Sequence, residues 1–160
     1  MILRPATVDD RAAVVALALH FHASTPYGSL VTVDPLRIGY LFDLALADGV
    51  VFVAECAPLH DDFTDDMTRG LVVVAFLGLT VLELAVSGDR YAEELAWWVE
   101  PAYRTGTLGP RLLRMAEDWA VAQGCAFVKM GAPEGQPAVG RWYQRQGYQA
   151  VETAFMKRVA

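Results

Sequence analysis

Apolar positions recur along this chain with two periods, and the switch between them marks out helices and strands. Val14, Val15, Leu17, Ala18 and Phe21 repeat at helical spacing just after Thr7-Val8-Asp9-Asp10, which has the spacing of a capping box. This predicts a helix ending near His22, preceded by a short strand over Ile2 to Arg4. Ser24 to Leu30, with Pro26 and Gly28, reads as a loop. Asp34-Pro35 then starts a second helix carrying Leu36, Tyr40, Leu41, Leu44 and Ala45, which Asp48-Gly49 stops. Val50 to Glu55 is a continuous apolar run of strand length. Gly70 to Leu84 is rich in β-branched and aromatic residues, and Gly78 with the change of register near Thr80 predicts a bend or bulge in it. Between these two runs, the acidic segment His60 to Thr68 predicts a solvated hairpin loop.

The second half changes order. Ser87-Gly88-Asp89 turns the chain into a strand over Leu95 to Val99. Pro110 to Gln123 carries the clearest helical stripe, with Leu112, Leu113, Ala116, Trp119 and Ala120 on one face and Gly124 as terminator. Ala126 to Met130 returns as a strand, completing a βαβ-like unit, whereas the hairpin-rich first half requires mostly antiparallel pairing. Gly135 to Pro137 reads as a loop, Ala138 to Gln146 as a short helix ended by Gly147, and Tyr148 to Lys157 as an alternating final strand or hairpin. The expected fold is one α/β domain over residues 1–160, a mixed and mostly antiparallel sheet flanked by helices.

Composition narrows the partners. At 160 residues and 54% hydrophobic, the chain is long enough for one sizeable core. A net charge of −6 argues against a nucleic-acid backbone or an anionic membrane surface as main partner, because both reward clustered Lys and Arg. The longest apolar stretch, Leu71 to Leu82, is too short to span a bilayer. Cys56 and Cys125 are far apart and no signal-peptide pattern is present, so a reducing, cytoplasmic setting is expected. Both read as small apolar strand residues rather than nucleophiles. His20 and His22, two apart on a helix, do not share a face, and His60 with Asp61, Asp62, Asp65 and Asp66 lacks a recognised metal spacing, so no metal is expected.

One stretch stands out against the acidic background. Arg104-Thr105-Gly106-Thr107-Leu108-Gly109-Pro110 reads as a strand-to-helix turn, with Arg111 just beyond it. The first amides of a helix lack internal partners, and the macrodipole adds partial positive charge where they point. Pro110 suits a first helical turn, and Arg104 and Arg111 bracket it with fixed charge. The combination predicts a site for a phosphate-bearing cofactor. No Walker lysine or dinucleotide fingerprint accompanies it.

Glu94-Leu95-Ala96-Trp97-Trp98-Val99-Glu100-Pro101, Tyr103-Arg104 to Gly109, and Arg141-Trp142-Tyr143-Gln144-Arg145-Gln146-Gly147-Tyr148 together resemble the GNAT superfamily of acyl-CoA-dependent N-acetyltransferases. The resemblance covers nearly the whole chain. It implies acetyl-CoA as co-substrate, with its pyrophosphate held by Arg104, Thr105, Gly106, Thr107, Leu108, Gly109 and Pro110. Thr107 stands where the family's first motif glycine is usual, and Gly106, one position earlier, offers the conformational freedom that threonine lacks. The resemblance further implies splayed strands that expose the backbone of Trp97, Trp98 and Val99 for the pantetheine arm to pair with as a short extra strand. It places Tyr143 near the thioester sulfur. A phenol of reference pKa about 10 giving its proton to a thiolate near 8.5 is uphill by about 2 kcal/mol, which one local hydrogen bond offsets.

An alkyl amine of reference pKa about 10.4 is protonated at neutral pH, so a base is needed before its nitrogen can attack. Glu94 is the first candidate, and simple alternation puts it on the face of Ala96 and Trp98, a parity that a bulge would reverse. Glu93, Glu83, Asp89 and a water chain are the alternatives. Trp97 and Trp98 point to opposite sides of their strand, one toward a core and one toward a cleft. The acidic balance favours a cationic acceptor such as a simple amine, polyamine, aminoglycoside or lysine side chain, in a small molecule or a protein. Pairing through the last strand offers a route to a homodimer. The sequence reading is thus an amine N-acetyltransferase acting by direct attack. Its rivals are a non-catalytic acyl-CoA-binding or regulatory module and an interaction domain without cofactor.

Overall fold

A computed structural model describes residues 1–57, 70–104 and 106–159. Its elements run β1 (Ile2–Pro5), α1 (Arg11–Ala23), α2 (Tyr27–Leu30), α3 (Pro35–Asp48), β2 (Gly49–Cys56), β3 (Val72–Glu83), β4 (Arg90–Val99), α4 (Leu108–Ala122), β5 (Phe127–Lys129) and α5 (Pro137–Arg145). The five strands form one sheet in chain order, antiparallel from β1 to β4 and parallel between β4 and β5. The mixed, mostly antiparallel sheet and the β4-α4-β5 crossover are those the hydrophobic pattern predicts.

Polar residues fix where the first helices begin. The Thr7 N–H donates to Asp10 Oδ2 at 2.7 Å, and Arg4 grips the same carboxylate at 2.8 and 2.9 Å while reaching Glu55 at 2.9 Å. The guanidinium holds the Asp10 carboxyl below the usual carboxylate range and ties β1, the start of α1 and β2 together. Asp34 caps α3, its Oδ1 accepting from the Leu36 N–H at 2.9 Å.

The continuous apolar runs of β2 and β3 reflect burial on both faces. On one face Phe52, Ala54, Leu77 and Leu79 pack against Leu108, Leu112 and Ala116 of α4. On the other, Val51, Val53 and Phe76 meet Val14 and Leu17 of α1 and Phe42 and Ala45 of α3. Leu77 has no exposed surface. Leu77→Ala is expected to cost about 2–5 kcal/mol of stability by opening a cavity, read as a lower urea midpoint at unchanged slope.

Several local expectations are corrected. Ser24 to Leu30 is not all loop, because the chain after Pro26 winds into α2 and the Val31 N–H closes it onto the Tyr27 carbonyl at 3.0 Å. β4 begins at Arg90, five residues before Leu95, because Arg90 to Glu94 pair with β3 across the hairpin despite their charges. α4 begins at Leu108 rather than Pro110, with Thr107 as its cap at φ −106°. Residues 148–159 form neither strand nor hairpin, since alternation supplies a face but no partner edge bonds to it. The segment expected as a solvated acidic loop lies outside the described residues.

One correction matters for chemistry. β3 does bulge, against β2 at Val74, but near Gly78 the extra residue is on its partner β4. Gly78 stands opposite Ala96 and Leu79 opposite Glu94, leaving Leu95 unpaired on β4 as a bulge. The bulge reverses the parity of everything before it. Glu94 therefore shares the α4 face with Trp97 and Val99, not the face of Ala96 and Trp98.

Candidate active site

β5 pairs with β4 only from Tyr91 to Glu93, opposite Phe127 to Lys129, and beyond this point the two strands part. The fork contains a cleft of about 480 Å³. Glu94 sits in the fork itself. Its Oε2 accepts the Gly131 N–H at 2.9 Å, from the chain just past β5, and faces the Tyr143 O–H of α5 at 3.4 Å. Burial pushes the Glu94 carboxyl up to about 7, with the Glu93 charge adding to the rise and the Gly131 N–H and Tyr143 O–H opposing it. Burial together with the Glu94 charge raises the Tyr143 phenol well above its ordinary value, so it remains a proton donor throughout the neutral range.

Tyr143 is buried in an aromatic cluster, with Trp142 at 5.2 Å, Trp97 at 6.2 Å and Tyr148 at 5.5 Å between ring centroids. Gly147, at φ +93°, ends α5 and turns Tyr148 back toward this cluster, where its O–H donates to Glu117 at 3.1 Å. Trp97 and Trp98 do face opposite sides of β4, and both border the cleft. Trp98 has Phe21 edge-on at 6.5 Å and donates its indole N–H to Glu100 at 3.2 Å; His20 Nδ1 lies 2.6 Å from the same carboxylate.

The turn into α4 forms the other end of the cleft. Arg104 Nε donates to the Val99 carbonyl at 2.8 Å, and its guanidinium lies 4.3 Å from the centre of the Trp98 ring. Gly106 has φ +80°, a conformation closed to threonine in practice, so the freedom missing at Thr107 is supplied one residue earlier. The Leu108 and Gly109 amides occupy the first helical turn, Pro110 has none, and the Arg111 N–H already bonds to the Thr107 carbonyl at 3.0 Å. A Cβ at Gly109 would meet only Trp97, at 3.8 Å, so a side chain there would take up cleft space. Leu108 buries its side chain in the core and offers only backbone. Thr105 lies outside the described residues.

Glu94, Trp97, Trp98, Val99, Arg104, Gly106, Gly109, Pro110 and Tyr143 thus border one cleft, and Thr107 caps the helix at its edge. The alternative carboxylates do not join them. Glu93 lies on the opposite face of β4, 3.4 Å from Lys129 Nζ. Glu83 and Asp89 belong to the hairpin end of the strand. Sequence reasoning did not single out Gly131, Phe21, Ser24, Trp142 or Gln136. Trp142 lies inside the motif around Tyr143, whereas the part of the others depends on contacts between distant segments.

The profile of the acetyltransferase (GNAT) family matches residues 36–148. The chain belongs to this family. Solved structures agree on the fold at low identity. A transcriptional regulator from Bacillus halodurans C-125 is 18% identical with a TM-score of 0.74 over 98% of both chains. An acetyltransferase from Trypanosoma brucei is 18% identical with a TM-score of 0.68 over 99% of both. An aminoglycoside N-acetyltransferase solved with CoA is 14% identical with a TM-score of 0.67, again over 99% of both. No curated protein matches the chain significantly. Among the described residues, no helix of this GNAT protein is long and apolar enough to cross a membrane, and no cluster of three or more His, Cys, Asp or Glu is placed to hold a metal ion.

Proposed function

We propose that this GNAT protein transfers an acetyl group from acetyl-CoA to a primary amine by direct attack. The observation that carries the reading is the meeting of Glu94 and Tyr143 in the β4–β5 fork, between an open strand edge and a helix start. The chain's own groups fit the co-substrate. Glu100 donates its N–H to Val74 on β3, so alternation turns the Val99 N–H and the backbone groups of Trp97 toward the open edge, where an amide-rich arm can pair, while the Val99 carbonyl already accepts from Arg104. The Gly106 turn, the Leu108 and Gly109 amides and Arg104 suit a pyrophosphate. Bound acetyl-CoA supplies an activated acyl carbon, which exchanges its C–S bond for a C–N bond and leaves a free thiol.

Glu94 accepts the ammonium proton. At an ordinary carboxyl value this transfer from an alkylammonium is uphill by about 8 kcal/mol, and burial of the carboxyl lowers that to about 5 kcal/mol. Tyr143, a persistent phenol beside the same point, donates to the departing sulfur. Aromatic walls keep water from competing for the acyl group.

Acetyl-CoA at a hundred times its dissociation constant is expected to stabilise the protein by about 2.7 kcal/mol, read as a thermal shift, and adding an amine panel should release thiol. Stabilisation without thiol release from any amine would favour a binding module instead. Arg104→Ala is expected to weaken acetyl-CoA about tenfold or more by removing a charge-assisted contact, while S-acetyl-pantetheine, which lacks the pyrophosphate, binds both forms alike. Calorimetric titration separates these outcomes.

A further inference from the structure

The acceptor class can be read from the charges and surfaces on the α1 side of the cleft, an inference that rests on the acetyl-transfer reading. The acidic chain as a whole favours cations, a simple amine and a polyamine alike, yet the cleft does not repeat that charge. Among the described residues, Glu94 is the single carboxylate that lines it. Glu100, just past β4, is engaged by both His20 and the Trp98 indole. A triamine or aminoglycoside brought here would place its second and third ammonium groups against the Trp98 and Phe21 rings, where the Glu100 carboxylate is already engaged. Leaving such charges desolvated and unpaired is costly.

The walls suit a different body. Trp98 is held by its N–H to Glu100, Phe21 meets it edge-on, and Pro133 completes an apolar wall beside the fork. Gln136 Nε2 donates to the Ser24 carbonyl at 3.4 Å, bridging the two banks of the cleft between α1 and the start of α5. A bridged, aromatic-walled cleft admits a compact molecule more readily than a polypeptide loop.

We propose that the acceptor is a small monoamine with an aromatic or bulky apolar body, which packs against Phe21 and Trp98 while its single amino group reaches Glu94. The amine nitrogen forms the C–N bond and the thioester C–S bond breaks; one ammonium proton passes to Glu94, Tyr143 protonates the sulfur so that it leaves as thiol, and the second proton lost by nitrogen restores the Tyr143 phenol.

The test compares 2-phenylethylamine, n-butylamine, spermidine, kanamycin and a lysine-rich peptide, both as substrates and, by calorimetry, as ligands of the CoA-loaded protein. 2-Phenylethylamine is expected to exceed spermidine, kanamycin and the peptide about 30-fold in affinity and in kcat/KM, and n-butylamine about tenfold. Phe21→Ala should weaken 2-phenylethylamine about tenfold in KM with little loss of kcat, and Phe21→Tyr should restore it. If spermidine, kanamycin or the peptide binds as well as 2-phenylethylamine, the acceptor class is wrong even though acetyl transfer stands. If 2-phenylethylamine binds preferentially but no amine is turned over, the pocket stands and the catalytic reading fails.

Discussion

Glu94→Gln is expected to lower kcat for amine acetylation by about 10²–10³-fold, the range of a lost general base, with the acetyl-CoA affinity retained. The glutamine keeps an oxygen for the Gly131 N–H, so the fork stays closed, but it cannot take a proton. The pH dependence supplies a second readout. With the Glu94 carboxyl pushed up to about 7, wild-type kcat/KM should climb roughly tenfold per pH unit below that point and level off above it. Glu94→Gln should lose this limb.

Stability moves the other way. Because the folded state binds the Glu94 proton more tightly than the unfolded chain does, wild-type stability falls as pH rises from the ordinary carboxyl value to about 7, and is flat on either side. Glu94→Gln carries no such cost and should be more stable than wild type at pH 8, by on the order of 1–3 kcal/mol, with the difference vanishing near pH 4. Paired urea melts at the two pH values check the sign. A variant slower in turnover yet firmer at pH 8 separates loss of the base from loss of the fold.

Tyr143→Phe is expected to lower kcat about 10–100-fold while leaving the aromatic cluster packed, because ring contacts with Trp97, Trp142 and Tyr148 survive loss of the hydroxyl. The same O–H favours the charged form of Glu94 from 3.4 Å, so its removal should move the pH limb to higher pH. An undiminished rate with an unmoved limb would remove Tyr143 from the reaction. An acyl donor with a better leaving thiol should recover part of the rate in Tyr143→Phe, since it needs less protonation at sulfur.

The parts of this molecule written in local periodicity were legible from the chain. α1, α3, α4 and α5 follow from their stripes and caps, and β2 and β3 from continuous apolar runs. The α4 turn was also legible, because glycine, proline and arginine constrain backbone and charge over a few residues. The Leu95 bulge was not: it is set by how β4 registers against β3, and that register decides which face Glu94 occupies. Simple alternation therefore put Glu94 on the wrong face. Strand β4 began early because Arg90, Glu93 and Glu94 are charged yet paired, so composition hid a real ladder. Gly131, Phe21 and Gln136 entered the site only through contacts across long stretches of chain.

Net charge describes long-range attraction, whereas the cleft answers to the few groups that remain when water is displaced. Its lining brings one carboxyl and one phenol together with three indoles and two arginines.

The most direct measurement is a mass balance of acetyl transfer. Protein, acetyl-CoA and 2-phenylethylamine are incubated at pH 8, and free thiol, N-acetylated amine and intact protein mass are followed together. Direct transfer in the fork predicts one acetamide per thiol, no thiol release above background without amine, and no acetylated protein at any time. Thiol release without matching acetamide, or an acetyl adduct on the protein that the amine then discharges, would contradict it.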